Sequence, residues 1–158
     1  MRATIREATV ADTRAIDALF AEGDTFHTTG APDSFRTPGV PARPSEFYAH
    51  AFATPHERIF VAEQDSVVVG FLHAVLRDMP SQAPFIPRPF AFVETTVVRE
   101  SARGVGIGRA LMGHAEGWAR EQGVSTIELT VWDFSGSAIP FYEELGYSTQ
   151  LRRMRKAL

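Results

Sequence analysis

Arg103-Gly104-Val105-Gly106-Ile107-Gly108-Arg109 sets glycine at three alternate positions, between a β-branched run and an amphipathic one. A glycine backbone bends tightly and admits a ligand closely, because no Cβ stands in the way. A helix starting here leaves its first N–H groups unpaired, and its dipole puts partial positive charge on them. Together these features make an anion site, to which Arg103 and Arg109 add charge. A second reading stays open on the residues alone: a tight turn whose glycines serve geometry only. Two named phosphate loops do not fit. A Walker A loop ends in Gly-Lys-Ser/Thr, which is absent here. A Rossmann fingerprint is G-x-G-x-x-G after the first strand of its unit, whereas this is G-x-G-x-G late in the chain.

The segments around the loop have clear periodicities. Before it, Phe90 to Val98 is β-branched and aromatic, the pattern of a strand. After it, Ile107, Ala110, Leu111, His114, Ala115 and Trp118 form one stripe of a helix that Gly123 ends. Ser125 to Trp132 reads as the next strand, Ser137 to Leu145 as a short helix stopped by Gly146, and Tyr147 to Leu158 as a last extended stretch. Upstream, Ala3 to Glu7 alternates as a first strand. Asp12 caps a helix that runs to about Glu22, where Gly23-Asp24 ends it. Residues 24 to 44 read as irregular, and Ser45 caps a second helix that Pro55 closes. Ile59 to Glu63 and Val67 to Arg77 form a hairpin turning at Gln64-Asp65-Ser66, with Gly70 marking a bulge or a close backbone approach. The prolines at 80, 84, 87 and 89 make 78 to 89 a loop. The order predicts a three-layer α/β chain, one domain over 1–158, with a mixed sheet. The strands flanking the helix after the loop run parallel, because a helical crossover joins them.

Composition narrows the function classes. The 158 residues suffice for a real core, and 44% hydrophobic with 22% charged residues is the mix of a globular protein. A net charge of −3 supplies no field for gripping nucleic acid or anionic lipid. The absence of Cys excludes disulfides, thiolate nucleophiles and thiolate metal sites. The five His form no ligand pair, so no metal is expected. Arg2, Arg6 and Glu7 break any secretory apolar block, and no apolar run is long enough to span a bilayer. The expectation is a cytoplasmic protein.

Two segments carry a resemblance. Val98 to Gly108 resembles motif A of the GNAT superfamily, with its Arg/Gln-x-x-Gly-x-Gly/Ala core at Arg103, Gly106 and Gly108. Ala138-Ile139-Pro140-Phe141-Tyr142-Glu143-Glu144-Leu145-Gly146-Tyr147 resembles motif B, which usually ends Tyr-x-x-x-Gly-Phe. The ordered pair, covering about residues 90 to 147, is far more specific than either motif alone. The resemblance implies the GNAT fold, with six to seven strands and about four helices. It implies acetyl-CoA as cosubstrate and direct acetyl transfer to a primary amine of a small molecule or a peptide N-terminus. A homodimer is an option, as many members are dimers.

Roles follow from the resemblance residue by residue. Backbone groups of Thr96, Val97 and Val98 would pair with the pantetheine arm, and the amides of Arg103, Gly104, Val105, Gly106, Ile107, Gly108 and Arg109 would hold the pyrophosphate. Tyr142 matches the acid that protonates the departing thiolate, a task suited to a phenol that stays protonated at neutral pH; packing beside Phe141 and Leu145 is its alternative. Glu94 is the candidate base. It is placed on the face of Phe90, Phe92 and Thr96, where an acid needs a partner or a job, and a structural partner for an Arg or a backbone amide is its alternative. Ser135 stands where motif B often has Asn. Thr130 stands where ribosomal-protein alanine acetyltransferases carry Glu, which argues against that subgroup.

The acceptor side falls on about residues 20 to 52 and 78 to 89. Phe26, His27, Phe35, Phe47, Tyr48, Phe85 and Phe90 there suggest an aromatic-lined pocket. His73 is a further candidate lining residue, and His114 is read as packing. Trp132 and Phe134 are open between substrate wall, dimer contact and packing. Arg152, Arg153, Arg155 and Lys156 read as a solvated strand edge. A non-catalytic acyl-CoA-binding sensor is the rival function, and a loop that binds ATP is a third.

Overall fold

The computed structural model describes residues 3–82 and 84–158; Met1, Arg2 and Ala83, and with them the charge read at Arg2, lie outside the described residues. The elements run β1 (Thr4–Glu7), α1 (Thr13–Gly30), α2 (Ser45–Ala53), β2 (Glu57–Gln64), β3 (Val67–Asp78), β4 (Pro89–Val98), α3 (Ile107–Glu121), β5 (Ile127–Leu129) and α4 (Ala138–Glu144). The strands form one sheet in the order β1-β2-β3-β4-β5. The first three pairings are antiparallel, and β4 with β5 is parallel across the α3 crossover.

Three layers result. On one face of the sheet, Ile16, Leu19 and Phe20 of α1 and Tyr48 and Ala51 of α2 pack on Ile59, Val61, Phe71 and Val97. On the other, Ile107, Leu111, Met112, Ala115, Trp118 and Ala119 of α3 pack on Phe60, Leu72, Ala74, Ala91 and Val93. The α3 stripe is thus rotated from its sequence reading: Met112 and Ala119 turn inward, while His114 lies exposed. Gly123 has φ +76° and closes α3 as predicted. Its N–H bonds to Arg120 O and that of Val124 to Ala119 O, the paired bonds of a Schellman ending. The β2–β3 turn is tight, with Asp65 and Ser66 both at positive φ. Gly70 fulfils both of its readings. The register shifts beside it, and a Cβ there would meet the Val97 carbonyl at 3.0 Å.

Three expectations are corrected. The first helix does not stop at Glu22 but runs on to Gly30. Gly23 is not a terminator; it lies where a Cβ would meet Val97 Cγ2 at 3.0 Å, so it lets α1 sit close on β4. The strand read over Ser125 to Trp132 is confined to Ile127–Leu129. The sheet has five strands among the described residues rather than six to seven, because Tyr147 to Leu158 forms no strand. That tail is rich in Arg and Lys and leaves Leu151, Met154 and Leu158 exposed.

Candidate active site

The site starts from a mismatch between two neighbours. β4 has ten residues and β5 only three, so their pairing covers Ala91, Phe92 and Val93 and ends there. Glu94 is the extra residue of a bulge, since His73 pairs with Thr95 and Ala74 with Val93. Past the bulge, Thr96, Val97 and Val98 stay registered with Leu72, Phe71 and Gly70 on one side and have no β5 partner on the other. A gap therefore opens between the strands at the C-terminal end of β4.

The glycine loop closes one end of this gap. Gly104 and Gly106 have φ of +79° and +88°, and a Cβ on either would meet nothing within 4 Å. These two are glycine because of backbone shape, and the space above them is open. Gly108 differs. It lies within α3, and its Cβ would press on the Phe141 ring at 3.1 Å, so it serves the contact between α3 and α4. Gly106 caps α3 without a side-chain hydrogen bond, which leaves the first N–H groups of the helix for an outside acceptor. Arg103 is anchored rather than free. Its Nε donates to the Val98 carbonyl at 2.8 Å, and its Nη2 lies 3.7 Å from Glu22 Oε1. Arg109 lies 3.6 Å from Glu144. Val105 is exposed and Ile107 is buried under the loop.

Tyr142 reaches the gap from the α3 face. Burial pushes its phenol above the ordinary value, and the nearby Thr96 hydroxyl pulls partly against that rise. Its position is set by how α4 ends. Gly146, at φ +92°, donates to Glu143 O, and Tyr147 N donates to Tyr142 O. This is a second Schellman ending, and it sets Tyr147 edge-on to Tyr142 at 5.8 Å between ring centroids. Tyr147 in turn donates its hydroxyl to Glu116 of α3 at 3.2 Å. The Tyr-x-x-x-Gly-Tyr spacing is thus a local device that holds the first tyrosine. Ser135 is buried in the turn before α4, where its carbonyl accepts from Ala138 N.

Glu94 corrects its sequence reading. Its side chain is 32% exposed rather than enclosed, and its Oε1 accepts a hydrogen bond from Arg77 Nη2. Arg77 stacks over Phe92, 4.0 Å from guanidinium carbon to ring centroid. Arg77 alternates with Phe71, His73 and Val75 along β3, which places the carboxylate on the α1–α2 face. Tyr142 and Glu94 therefore flank the open end of β4 from opposite faces. The sequence reading missed Arg77 as the partner; its alternation with Val75 opposite Phe92 was the signal. It also missed Glu22, whose Oε1 accepts from Glu100 N at 2.9 Å and so ties α1 to the turn before the loop. Ending the first helix at that residue hid this.

The expected acceptor aromatics separate into groups. Tyr48 is core, with its hydroxyl on Asp17 at 2.7 Å, and Phe47 packs against Phe20. Phe90 is buried and Phe85 exposed. His73 is also buried, with Nε2 2.9 Å from Glu57 Oε2. Phe26, His27 and Phe35 instead join Trp132 and Phe134. Among the described residues no group of His, Asp and Glu could hold a metal ion, and no helix is long and apolar enough to cross a membrane.

The chain is similar to several solved structures. It aligns with a mutant of the BH1408 protein from Bacillus halodurans at 26% identity and a TM-score of 0.92, covering 98% of this chain and 99% of that one. An aminoglycoside acetyltransferase from an uncultured soil metagenomic sample shares 17% identity with a TM-score of 0.74, covering 100% and 99%. An acetyltransferase from Trypanosoma brucei shares 20% with a TM-score of 0.70, covering 99% of each. The sequence pattern of the Acetyltransferase (GNAT) family matches residues 26–147, across the open strand, the glycine loop and the Tyr142 helix, and the chain belongs to that family of acyltransferases.

Proposed function

We propose that this protein is an N-acetyltransferase that moves an acetyl group from acetyl-CoA to a primary amine of a small molecule or a peptide N-terminus. One observation carries the reading: β4 loses its parallel neighbour after Val93, and Tyr142 of α4 packs on the α3-face core that flanks the stretch left open. The open positions of Gly104 and Gly106 and the uncapped start of α3 suit a pyrophosphate. Thr96 to Val98 offer backbone to the pantetheine arm, Arg103 to Arg109 offer amides and charge to the diphosphate, and Ser135 is held as a further contact.

In direct transfer, the amine nitrogen bonds to the thioester carbonyl carbon and the carbon–sulfur bond breaks. Glu94 accepts the proton of the incoming ammonium, directly or through water. Tyr142 gives its proton to the thiolate. A phenol raised by burial holds that proton at neutral pH, and the Thr96 hydroxyl steadies the phenolate left behind. We place the reaction in the cytoplasm.

The ion pair of Glu94 with Arg77 is what favours the rival, a non-catalytic acyl-CoA sensor. Both side chains are partly exposed, so the pair is weak and an ammonium can compete with Arg77 for the carboxylate. Thiol release from acetyl-CoA across a panel of primary amines tests the assignment. Turnover that falls about a hundredfold or more in Tyr142→Phe supports it. Tight acetyl-CoA binding with no turnover on any amine would establish the sensor.

A further inference from the structure

The inward face of α1 continues past its core. Ile16, Leu19 and Phe20 are buried, and at the same helical spacing come Gly23, Phe26, His27 and Gly30. The two glycines mark where the helix touches the two sides of the gap. At Gly23 a Cβ would strike Val97 of β4 at 3.0 Å. At Gly30, two turns on, a Cβ would fall 2.1 Å from the Phe134 ring, in the segment that follows β5. α1 therefore bridges the diverging strands on the face where Glu94 lies, with Phe26 and His27 on the span between its footings.

Those two side chains belong to a closed set of rings. His27 meets Phe35 at 4.9 Å, Phe35 meets Trp132 at 4.9 Å, Trp132 meets Phe134 at 6.0 Å, and Phe26 meets Phe134 at 5.6 Å between centroids. Three separate segments supply them: α1, the 31–44 connection, and the turn before α4. Ordinary core packing would bury such a cluster, yet Phe26 is 47% and Trp132 41% exposed. The absence of a Cβ at Gly30 is what admits Phe134.

We infer that this ring cluster receives the acceptor, and that the acceptor is an amine carrying a flat aromatic arm, with Trp132 setting the preference. The inference rests on the acetyltransferase reading above and narrows its acceptor. The arm lies against the open faces of Trp132 and Phe26.

Thiol release with acetyl-CoA is measured for 2-phenylethylamine and tryptamine against n-hexylamine and glucosamine. Binding of 2-phenylethylamine and of n-hexylamine is also measured by calorimetry, which does not use Trp132 as its own reporter. The two arylalkylamines are expected to exceed hexylamine in kcat/KM by roughly three- to tenfold, the value of one to two ring contacts. Trp132→Ala brings the ratio near one through KM, and Trp132→Phe, which keeps a ring, retains most of it. Equal kcat/KM for aryl and alkyl amines, or a preference that survives Trp132→Ala, overturns the inference and leaves the acetyltransferase assignment standing. If no amine turns over, that assignment fails instead. Calorimetry then decides this one: 2-phenylethylamine binding tighter than n-hexylamine, with the difference lost in Trp132→Ala and kept in Trp132→Phe, upholds it, and its absence overturns it.

Discussion

The Nε of Arg103 donates to the carbonyl of Val98 at 2.8 Å, so the glycine loop is tied to the last residue of the strand it follows. This bond fixes where the start of α3 faces relative to the open edge of β4. The guanidinium is half exposed, which limits its worth to about 1 kcal/mol. Arg103→Ala is expected to raise KM for acetyl-CoA roughly fivefold with kcat nearly unchanged. Arg103→Lys, which keeps the charge but not the planar fork, should recover only part of that. Steady-state kinetics at saturating amine measure both.

The three loop glycines should respond differently. Gly106→Ala forces a residue with a Cβ into φ +88°, at a cost of about 1–2 kcal/mol, and puts a methyl over the start of α3. It is expected to weaken acetyl-CoA binding more than tenfold, as read by calorimetry. Gly108→Ala meets only Phe141, at 3.1 Å, and gains helix propensity. Its effect should be a small shift in Tm, with binding kept. Equal loss of binding in both variants would contradict the division of roles.

That division shows what a sequence can and cannot disclose. The order of elements as far as α4, the parallel β4–β5 pair and both Schellman glycines were legible, because each rests on local periodicity or on a conformation that glycine supplies. Gly104, Gly106 and Gly108 look alike in the sequence. Only the fold separates two that shape the backbone from one that makes room for Phe141. Gly23 misled for the same reason, since a glycine that ends a helix and one that admits a neighbour carry the same letter. Thr96 read as sharing the face of Phe92 and Glu94, but the bulge at Glu94, which no local signal marks, turns it to the Leu72 face. The link between Tyr142 and Thr96 joins residues 46 positions apart and had no sequence signature.

Acid should loosen the β1 end of the sheet before the rest. Asp12 accepts from both terminal nitrogens of Arg6, each at 2.8 Å, and from Thr9 N at 2.8 Å. The hydrogen bonds from Arg6 lead in holding its carboxyl down to about 2, from an ordinary 3.8. A depressed carboxylate stabilises the fold above its unfolded value and loses that contribution as pH falls through the folded one. Its share, about 2 kcal/mol, is therefore whole at pH 5 and mostly gone at pH 2. Asp12→Asn should remove most of it at neutral pH and flatten the dependence between pH 4 and 2. Chemical denaturation at several pH values checks the slope.

The acceptor side depends on a second carboxylate. Asp17 of α1 accepts from Ala42 N at 3.0 Å, Arg43 N at 2.9 Å and the Tyr48 hydroxyl at 2.7 Å. It thereby fastens the 31–44 connection, which carries Phe35, to both helices. Arg43 reinforces the join by pairing with Asp24 at 2.6 Å and lying 4.2 Å over Phe20. Asp17→Ala leaves a buried phenol and two amides without their acceptor, so a loss of about 2–3 kcal/mol is expected. The effect on function should be selective. The glycine loop shares none of these contacts, so acetyl-CoA affinity at a temperature well below Tm should hold. KM for the amine should rise several-fold as Phe35 leaves its ring contacts. Calorimetry with acetyl-CoA, set beside amine titrations on the same variant, separates the two. A parallel loss of both affinities would mean that Asp17 supports the whole domain rather than the acceptor side.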